Sequence, residues 1–274
     1  MIQRVAFLST FYPFRGGIAQ SNASLYQAFQ ELGYETRAFT FTRQYPDLLF
    51  PGKSQYVTNS DNTAAAVKAE QTLDSLNPLT YLQTARAVRA FQPDLLILRF
   101  WMPFFGPSLG TVAGRLRKQG TTIISVIDNA TPHEQRPGDT LLTHYFLNRL
   151  DGAVAMSEAV KADLARIKPQ LPCYYHPHPV YDHFGEALPK EEAKARLGLD
   201  PTKRTLLFFG LIRGYKGLDL LLEAFKHLPA DYELLVAGEV YGDEAPYRQQ
   251  VAGHEAEART HLHLRYIDDQ EVQL

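Results

Sequence analysis

Short apolar runs alternate with helix-spaced segments along this chain, and no other feature of the sequence constrains the fold as strongly. Residues 5–9 form an apolar run followed by Thr10, after which 18–32 carries Leu25, Ala28, Phe29 and Leu32 at helical spacing until Gly33 stops it. The pattern predicts strands over 36–41, 94–98, 122–127 and 153–156. Helices near 81–91, 109–119 and 140–150 lie between them, and Ser157 opens another as its N-cap. Strands and helices in alternation require a parallel sheet covered on both faces. Residues 45–75 are polar, weakly periodic and longer than a connection needs, and read as a functional or mobile loop.

Around residues 172–189 the chain turns proline-rich, with Pro177, Pro179 and Pro189, and the alternation pauses. It resumes with a helix over 191–197, strand 205–209, helix 218–228, strand 232–237, a helix near 247–257 and strand 261–266, and 268–274 resembles the start of a further helix. The expected organisation is two Rossmann-like, doubly wound α/β domains, residues 1–182 and 183–274. The second is expected to be incomplete, because a doubly wound unit commonly has about five or six strands. An open sheet edge there would favour self-association.

At 274 residues and 45% hydrophobic content, the chain has the apolar material for two such domains. A formal net charge of -2 gives no global field for a nucleic-acid partner, so any anion site has to be local. The lone Cys173 excludes an intramolecular disulfide or a cysteine zinc cluster, which fits a reducing cytoplasm. The apolar run at the start is too short for a signal peptide. No window approaches the roughly 20 apolar residues of a membrane span, so membrane contact would be peripheral.

The densest chemistry lies in Phe208-Phe209-Gly210-Leu211-Ile212-Arg213-Gly214-Tyr215-Lys216-Gly217-Leu218, where a strand runs into a glycine-rich loop with two cations at the mouth of a helix. Helix N-terminal amides and the dipole favour a phosphate there, and Arg213 and Lys216 add charge-assisted bonds. Solvated loop cations are the alternative reading. The loop is neither a Walker A sequence nor a GxGxxG fingerprint. Tyr12-Pro13-Phe14-Arg15-Gly16-Gly17-Ile18-Ala19, after the first strand, is a turn where missing side chains let a ligand approach the backbone at a helix N-terminus.

A third polar stretch, Asp128-Asn129-Ala130-Thr131-Pro132-His133-Glu134-Gln135-Arg136, spills from a strand C-terminus, where open α/β sheets place ligands. His133-Glu134 lacks the second histidine of a zincin motif. His133 also reads as an ordinary loop histidine. Phe100-Trp101-Met102-Pro103-Phe104-Phe105 reads either as core packing or as an apolar wall for an acceptor. The pairs His176/His178 and His261/His263 have no Cys or acidic companion at ligand spacing, so no metal site is expected.

The loop from Arg213 to Lys216-Gly217 resembles the donor-diphosphate loop of family 4 glycosyltransferases of the GT-B, group 1 type. The Gly16-Gly17 turn is similar to that family's glycine-glycine loop, and His176-Pro177-His178-Pro179-Val180-Tyr181-Asp182 to its interdomain stretch. The resemblance covers essentially the whole chain. It implies a GT-B fold and retaining transfer of a sugar from a nucleotide-diphospho-sugar donor to a hydroxyl of a glycan or lipid-linked glycan, with no cofactor and no metal. Gly16, Gly17, Arg213, Lys216 and Gly217 would hold the donor diphosphate.

Many members carry a histidine at the position of Asp128; here Asp128 stands as the catalytic candidate at that position, with His133 and Arg136 taking over part of the role. Trp101 and Asn129 would lie on the acceptor side. Related enzymes contact ribose and sugar through two glutamates further along, so the sequence is expected to be C-terminally truncated. A non-catalytic binding or assembly fragment, and a nucleotide-sugar epimerase of the same fold, stand as alternatives.

Overall fold

The computed structural model describes residues 2–46, 55–57, 67–131, 136–180 and 184–274. The chain forms two compact units, the first running to Val180 and the second holding the described residues from 184 onward.

In the first unit, seven strands pair in parallel: β1 (Arg4–Leu8), β2 (Glu35–Arg43), β3 (Glu70–Asp74), β4 (Leu95–Phe100), β5 (Thr122–Ile127), β6 (Gly152–Ala155) and β7 (Cys173–Tyr175). Their order in space is β3-β2-β1-β4-β5-β6-β7. Helices α1 (Gly17–Glu31), α2 (Pro78–Ala90), α3 (Gly106–Arg117), α4 (Asp139–Leu147) and α5 (Glu158–Ile167) connect them. Alternate residues of each strand point to opposite faces, and both faces are filled. Leu96, Leu98 and Phe100 of β4 join one layer with Val88, Leu109, Val112 and Phe146, while Leu95 and Ile97 join Val5, Phe7 and Ala23 in the other. This two-sided burial explains why β4 reads as an unbroken apolar run. Strand order reverses between β1 and β4, and such a switch point opens a crevice at the carboxyl ends of the strands.

Two of these strands fall where the sequence signals none. β3 lies inside the stretch read as a loop, because only Leu73 of its five residues is buried and its existence depends on pairing with β2 across a shifted register. β7 lies at the start of the proline-rich stretch and is three residues long, with Tyr174 and Tyr175 exposed. Neither carries a period of its own to read.

The second unit has three parallel strands, β8 (Arg204–Phe209), β9 (Tyr232–Ala237) and β10 (Thr260–His263), in the order β10-β9-β8. Helices α6 (Lys190–Leu197), α7 (Leu218–Phe225) and α8 (Ala245–Val251) accompany them. Leu206, Phe208, Leu234, Val236 and Leu262 pack with Leu218, Leu222, Phe225 and Val251. α8 ends earlier than its apolar spacing suggests, and turns lead from it to a short 3-10 turn at Glu257–Arg259. There the Arg259 guanidinium donates to the carbonyls of Phe225, Leu228, Pro229 and Tyr232. Residues 269–271 form a 3-10 turn rather than a full helix, closed by a capping box of Asp268 and Glu271. Among the described residues, no helix is long and apolar enough to cross a membrane.

A buried ion pair ties α6 to this sheet. Lys194 and Glu233 are 4% and 1% exposed, and the ammonium lies 3.0 Å from Glu233 Oε1 while also donating to the carbonyls of Asp200 and Lys203. Glu233 accepts further from Thr205 Oγ1 (2.8 Å) and the Asp200 amide (3.1 Å). Burial pushes its carboxyl up, but these donors outweigh that and hold it below 4.5. Removing one partner leaves a buried charge, so Lys194→Met should destabilise the protein by about 3–5 kcal/mol, whereas Lys194→Met with Glu233→Leu should recover most of the loss. Denaturant unfolding of the full chain measures both. Because the folded carboxyl titrates below its unfolded value, the contribution is complete above about pH 5 and lost as pH falls through the folded pKa.

Candidate functional site

Gly16 caps α1 with φ 104° and ψ 168°, a region that side chains other than glycine's hydrogen avoid. The turn before it is pinned by Arg15 N–H donating to Gln55 O (3.0 Å), Val57 N–H donating to Pro13 O (2.9 Å) and a bridge between Phe14 and Tyr56. The first turn of α1 carries no acidic residue, so its amide dipoles meet no competing charge from that turn.

Beside this helix start is a buried polar node that sequence reasoning saw only in part. Arg99, on β4, is 3% exposed, and its Nε and Nη2 donate to the two oxygens of Asp128 at 2.7 Å each. Nη1 donates to Ser21 Oγ at 2.7 Å and to Asn22 Oδ1 at 3.4 Å, both on α1. Asn22 passes the connection on, its amide donating to Ser9 Oγ (2.8 Å) and Thr10 O (2.9 Å) just after β1. Thr10 Oγ1 in turn donates to Gln44 Oε1 at 3.2 Å. The ends of β4 and β5 and the first turns of α1 thus meet on one guanidinium at the switch point, and the end of β1 joins them through Asn22. Asp128 is placed at the carboxyl end of β5 as the sequence suggests, with each of its oxygens accepting one bond from Arg99.

Trp101 follows β4 and is half-buried in an aromatic group, its indole N–H donating to Tyr45 OH at 2.7 Å and its ring 4.4 Å from that of Phe105. Phe41 meets it edge-on at 6.5 Å, so Trp101 packs on the core while lying at the rim of the sheet. Asn129 is half-buried next to Asp128. Arg136 is exposed, and its backbone N–H donates to Asp139 Oδ2 (2.8 Å) at the start of α4. His133 lies outside the described residues.

In the second unit the loop after β8 is held against the loop after β9. Ile212 N–H donates to Glu239 O, and Tyr241 N–H returns to Ile212 O, each at 2.9 Å, extending the strand pairing as a bridge between Ile212 and Val240. Gly210, at φ 103°, lies so close that a Cβ built on Gly238 would sit 1.9 Å from its carbonyl oxygen. From this base Gly214–Lys216 makes a 3-10 turn, and Gly217, at φ 71°, caps α7. Arg213 and Lys216 are both exposed at this helix start, with the Arg213 guanidinium 4.6 Å over the Tyr241 ring. Desolvation, then the charge of Arg213, holds the Lys216 ammonium below 10.5. Among the described residues, no three His, Cys, Asp or Glu side chains gather as metal ligands would.

A glycosyl transferase 4-like domain is matched over residues 16–187, more than half of the chain, and glycosyl transferases group 1 over residues 189–273. The chain belongs to the glycosyl transferase 4-like family. This glycosyl transferase matches no curated protein. Among solved structures it is similar to sucrose-phosphate synthase from Thermosynechococcus elongatus, with a TM-score of 0.68 and 16% identity over 99% of this chain and 72% of that one. HepE from Anabaena in complex with UDP and glucose gives 0.73 and 12% over 98% and 71%. UDP-GlcNAc 2-epimerase from Neisseria meningitidis bound to UDP-GlcNAc gives 0.58 and 10% over 99% and 74%. At such identities the likeness is one of fold. With its parallel sheets, it makes both units Rossmann-like members of the GT-B architecture, the second a partial one.

Breaking the pair in this glycosyl transferase strands a buried charge, so Arg99→Met should cost about 3–5 kcal/mol of stability. Gly16→Ala should cost about 1–3 kcal/mol, because alanine cannot relax at that backbone conformation. Denaturant midpoints check both, and wild-type stability in Arg99→Met would show the node to be incidental.

Proposed function

We propose that this glycosyl transferase takes a nucleotide-diphospho sugar as donor and moves its sugar, with retention and without a metal ion, to a hydroxyl of a glycan or lipid-linked glycan. The observation that carries the donor assignment is the cationic loop at the start of α7. Two positive side chains are set at a helix N-terminus, where desolvation first and the charge of Arg213 second hold the Lys216 ammonium down, although Asp219 lies in the first turn. A diphosphate relieves that repulsion and accepts the loop amides. Complexes of HepE with UDP-glucose and of the epimerase with UDP-GlcNAc support this class of donor.

When the bond between the anomeric carbon and the diphosphate breaks, its electron pair moves to the phosphate oxygen. Arg213, Lys216 and the amides around Gly217 then gain more from the leaving group than from the bound donor, which is the condition for lowering the barrier. Gly16 and Gly17 keep, within this proposal, the donor-phosphate role that the family resemblance gives them. Asp128, His133 and Arg136 keep their catalytic assignment, Asp128 while also holding Arg99, and Trp101 and Asn129 remain assigned to the acceptor side. Cytoplasmic location, peripheral membrane contact and self-association through the second unit belong to the same reading.

The likeness to the epimerase favours a second reading, inversion within the nucleotide sugar itself. The two part cleanly: an epimerase changes the sugar with no acceptor present.

Arg213→Ala and Lys216→Ala should each lower turnover by on the order of 10² to 10³, the usual loss on removing a charge-stabilising donor. Release of nucleoside diphosphate from a nucleotide sugar reads this, and near-normal rates in both variants would sink the assignment. UDP affinity should weaken as pH rises through the Lys216 pKa, beginning below 10.5, because the free amine no longer attracts phosphate. Lys216→Arg should remove that decline, since guanidinium stays charged throughout.

A further inference from the structure

We infer that Tyr241 is a positioning residue for Arg213, holding the guanidinium over its ring so that the cation is preset for the donor diphosphate. The inference rests on the diphosphate assignment of the preceding section and extends it to a residue on a different loop. An exposed arginine on a glycine-flanked turn has several side-chain bonds free to rotate, and that freedom is lost when an anion binds. A ring that holds the guanidinium in place removes part of the loss beforehand. Arg213 lies 4.6 Å from the Tyr241 centroid, within the distance at which a cation is attracted by the negative face of an aromatic ring.

The ring is itself well placed. Tyr241 N–H donates to Ile212 O, one residue before Arg213, while Ile212 N–H donates to Glu239 O, so the two side chains leave adjacent, hydrogen-bonded backbones. The missing Cβ at Gly238 lets the loop after β9 lie directly against Gly210 and keeps that register. Tyr215, exposed on the same turn, is the other aromatic of the loop, but the ring that Arg213 overlies is that of Tyr241. Arrangement over a ring leaves the N–H edges of a guanidinium available for phosphate oxygens, so a stacked arginine is preset for an anion and not consumed by its partner.

The test is a double-mutant cycle on the full chain, with inorganic pyrophosphate as probe and its affinity read by phosphorus NMR titration. Pyrophosphate isolates the phosphate contacts from base and sugar. Arg213→Ala should weaken binding on the order of tenfold, the scale of a lost charge-assisted bond. Tyr241→Ala should weaken it about two- to fivefold, Tyr241→Phe should bind as the wild type does, and Tyr241→Ala should have no further effect in the Arg213→Ala background. That last result separates positioning from a general loosening of the loop, which would weaken binding whether or not Arg213 is present. If Arg213→Ala weakens binding and Tyr241→Ala does not, or if the two effects simply multiply, the positioning role falls and the diphosphate assignment stands. If Arg213→Ala leaves affinity unchanged, or the wild type binds no pyrophosphate, the diphosphate assignment fails and this inference with it.

Discussion

The first unit depends on a single buried guanidinium. A parallel sheet fixes its strands by hydrogen bonds along their length, but their carboxyl ends, where the ladder stops, need something else to hold them. Arg99 supplies it by binding Asp128 with two parallel bonds and reaching Ser21 and Asn22 on α1. A charge so deeply placed is tolerated only when paired and hydrogen-bonded in good geometry, and that requirement makes the arrangement specific. The helix whose start carries Gly16 and Gly17 is therefore tied to the sheet by the same group that fixes the strand ends.

The second unit solves the same problem differently. Its buried pair, Lys194 with Glu233, gathers the Thr205 hydroxyl and the carbonyls of Asp200 and Lys203, at the end of the sheet where β8 and β9 begin. The opposite end, which carries the cationic loop, is held by backbone hydrogen bonds and by the contact of two glycines. Charge in the interior anchors one end, while at the other Arg213 and Lys216 are left exposed.

The alternation of strands and helices was legible because burial on both faces of a parallel sheet writes itself as apolar runs. Where a strand owes its existence to a neighbour, as β3 does to β2, the sequence carries no such mark. The site residues divide in the same way. Gly16, Arg213 and Lys216 announce themselves by local pattern, and Asp128 by its place at a strand end. Arg99 is readable in principle as a cation at the close of an otherwise apolar strand, but that cation also ends the apolar run, and the strand read from the sequence stops two residues short of Phe100. Tyr241 left no local signal, because its role depends on a loop brought alongside it by β8 and β9 pairing.

Gly210 and Gly238 are 28 positions apart in the chain yet are tied by one close contact. A methyl group at 238 has no space while the Gly210 carbonyl stays where it is, and moving that carbonyl shifts the strand end from which the cationic loop departs. Variation at 238 is consequently not graded, since the first side-chain atom is already excluded, while at 210 it is the positive φ and not space that disfavours a side chain. A library that randomised both positions would be expected to return the glycine pair or a rebuilt loop. Changes in selectivity would therefore have to arise from side chains mounted on this frame, with its backbone left intact.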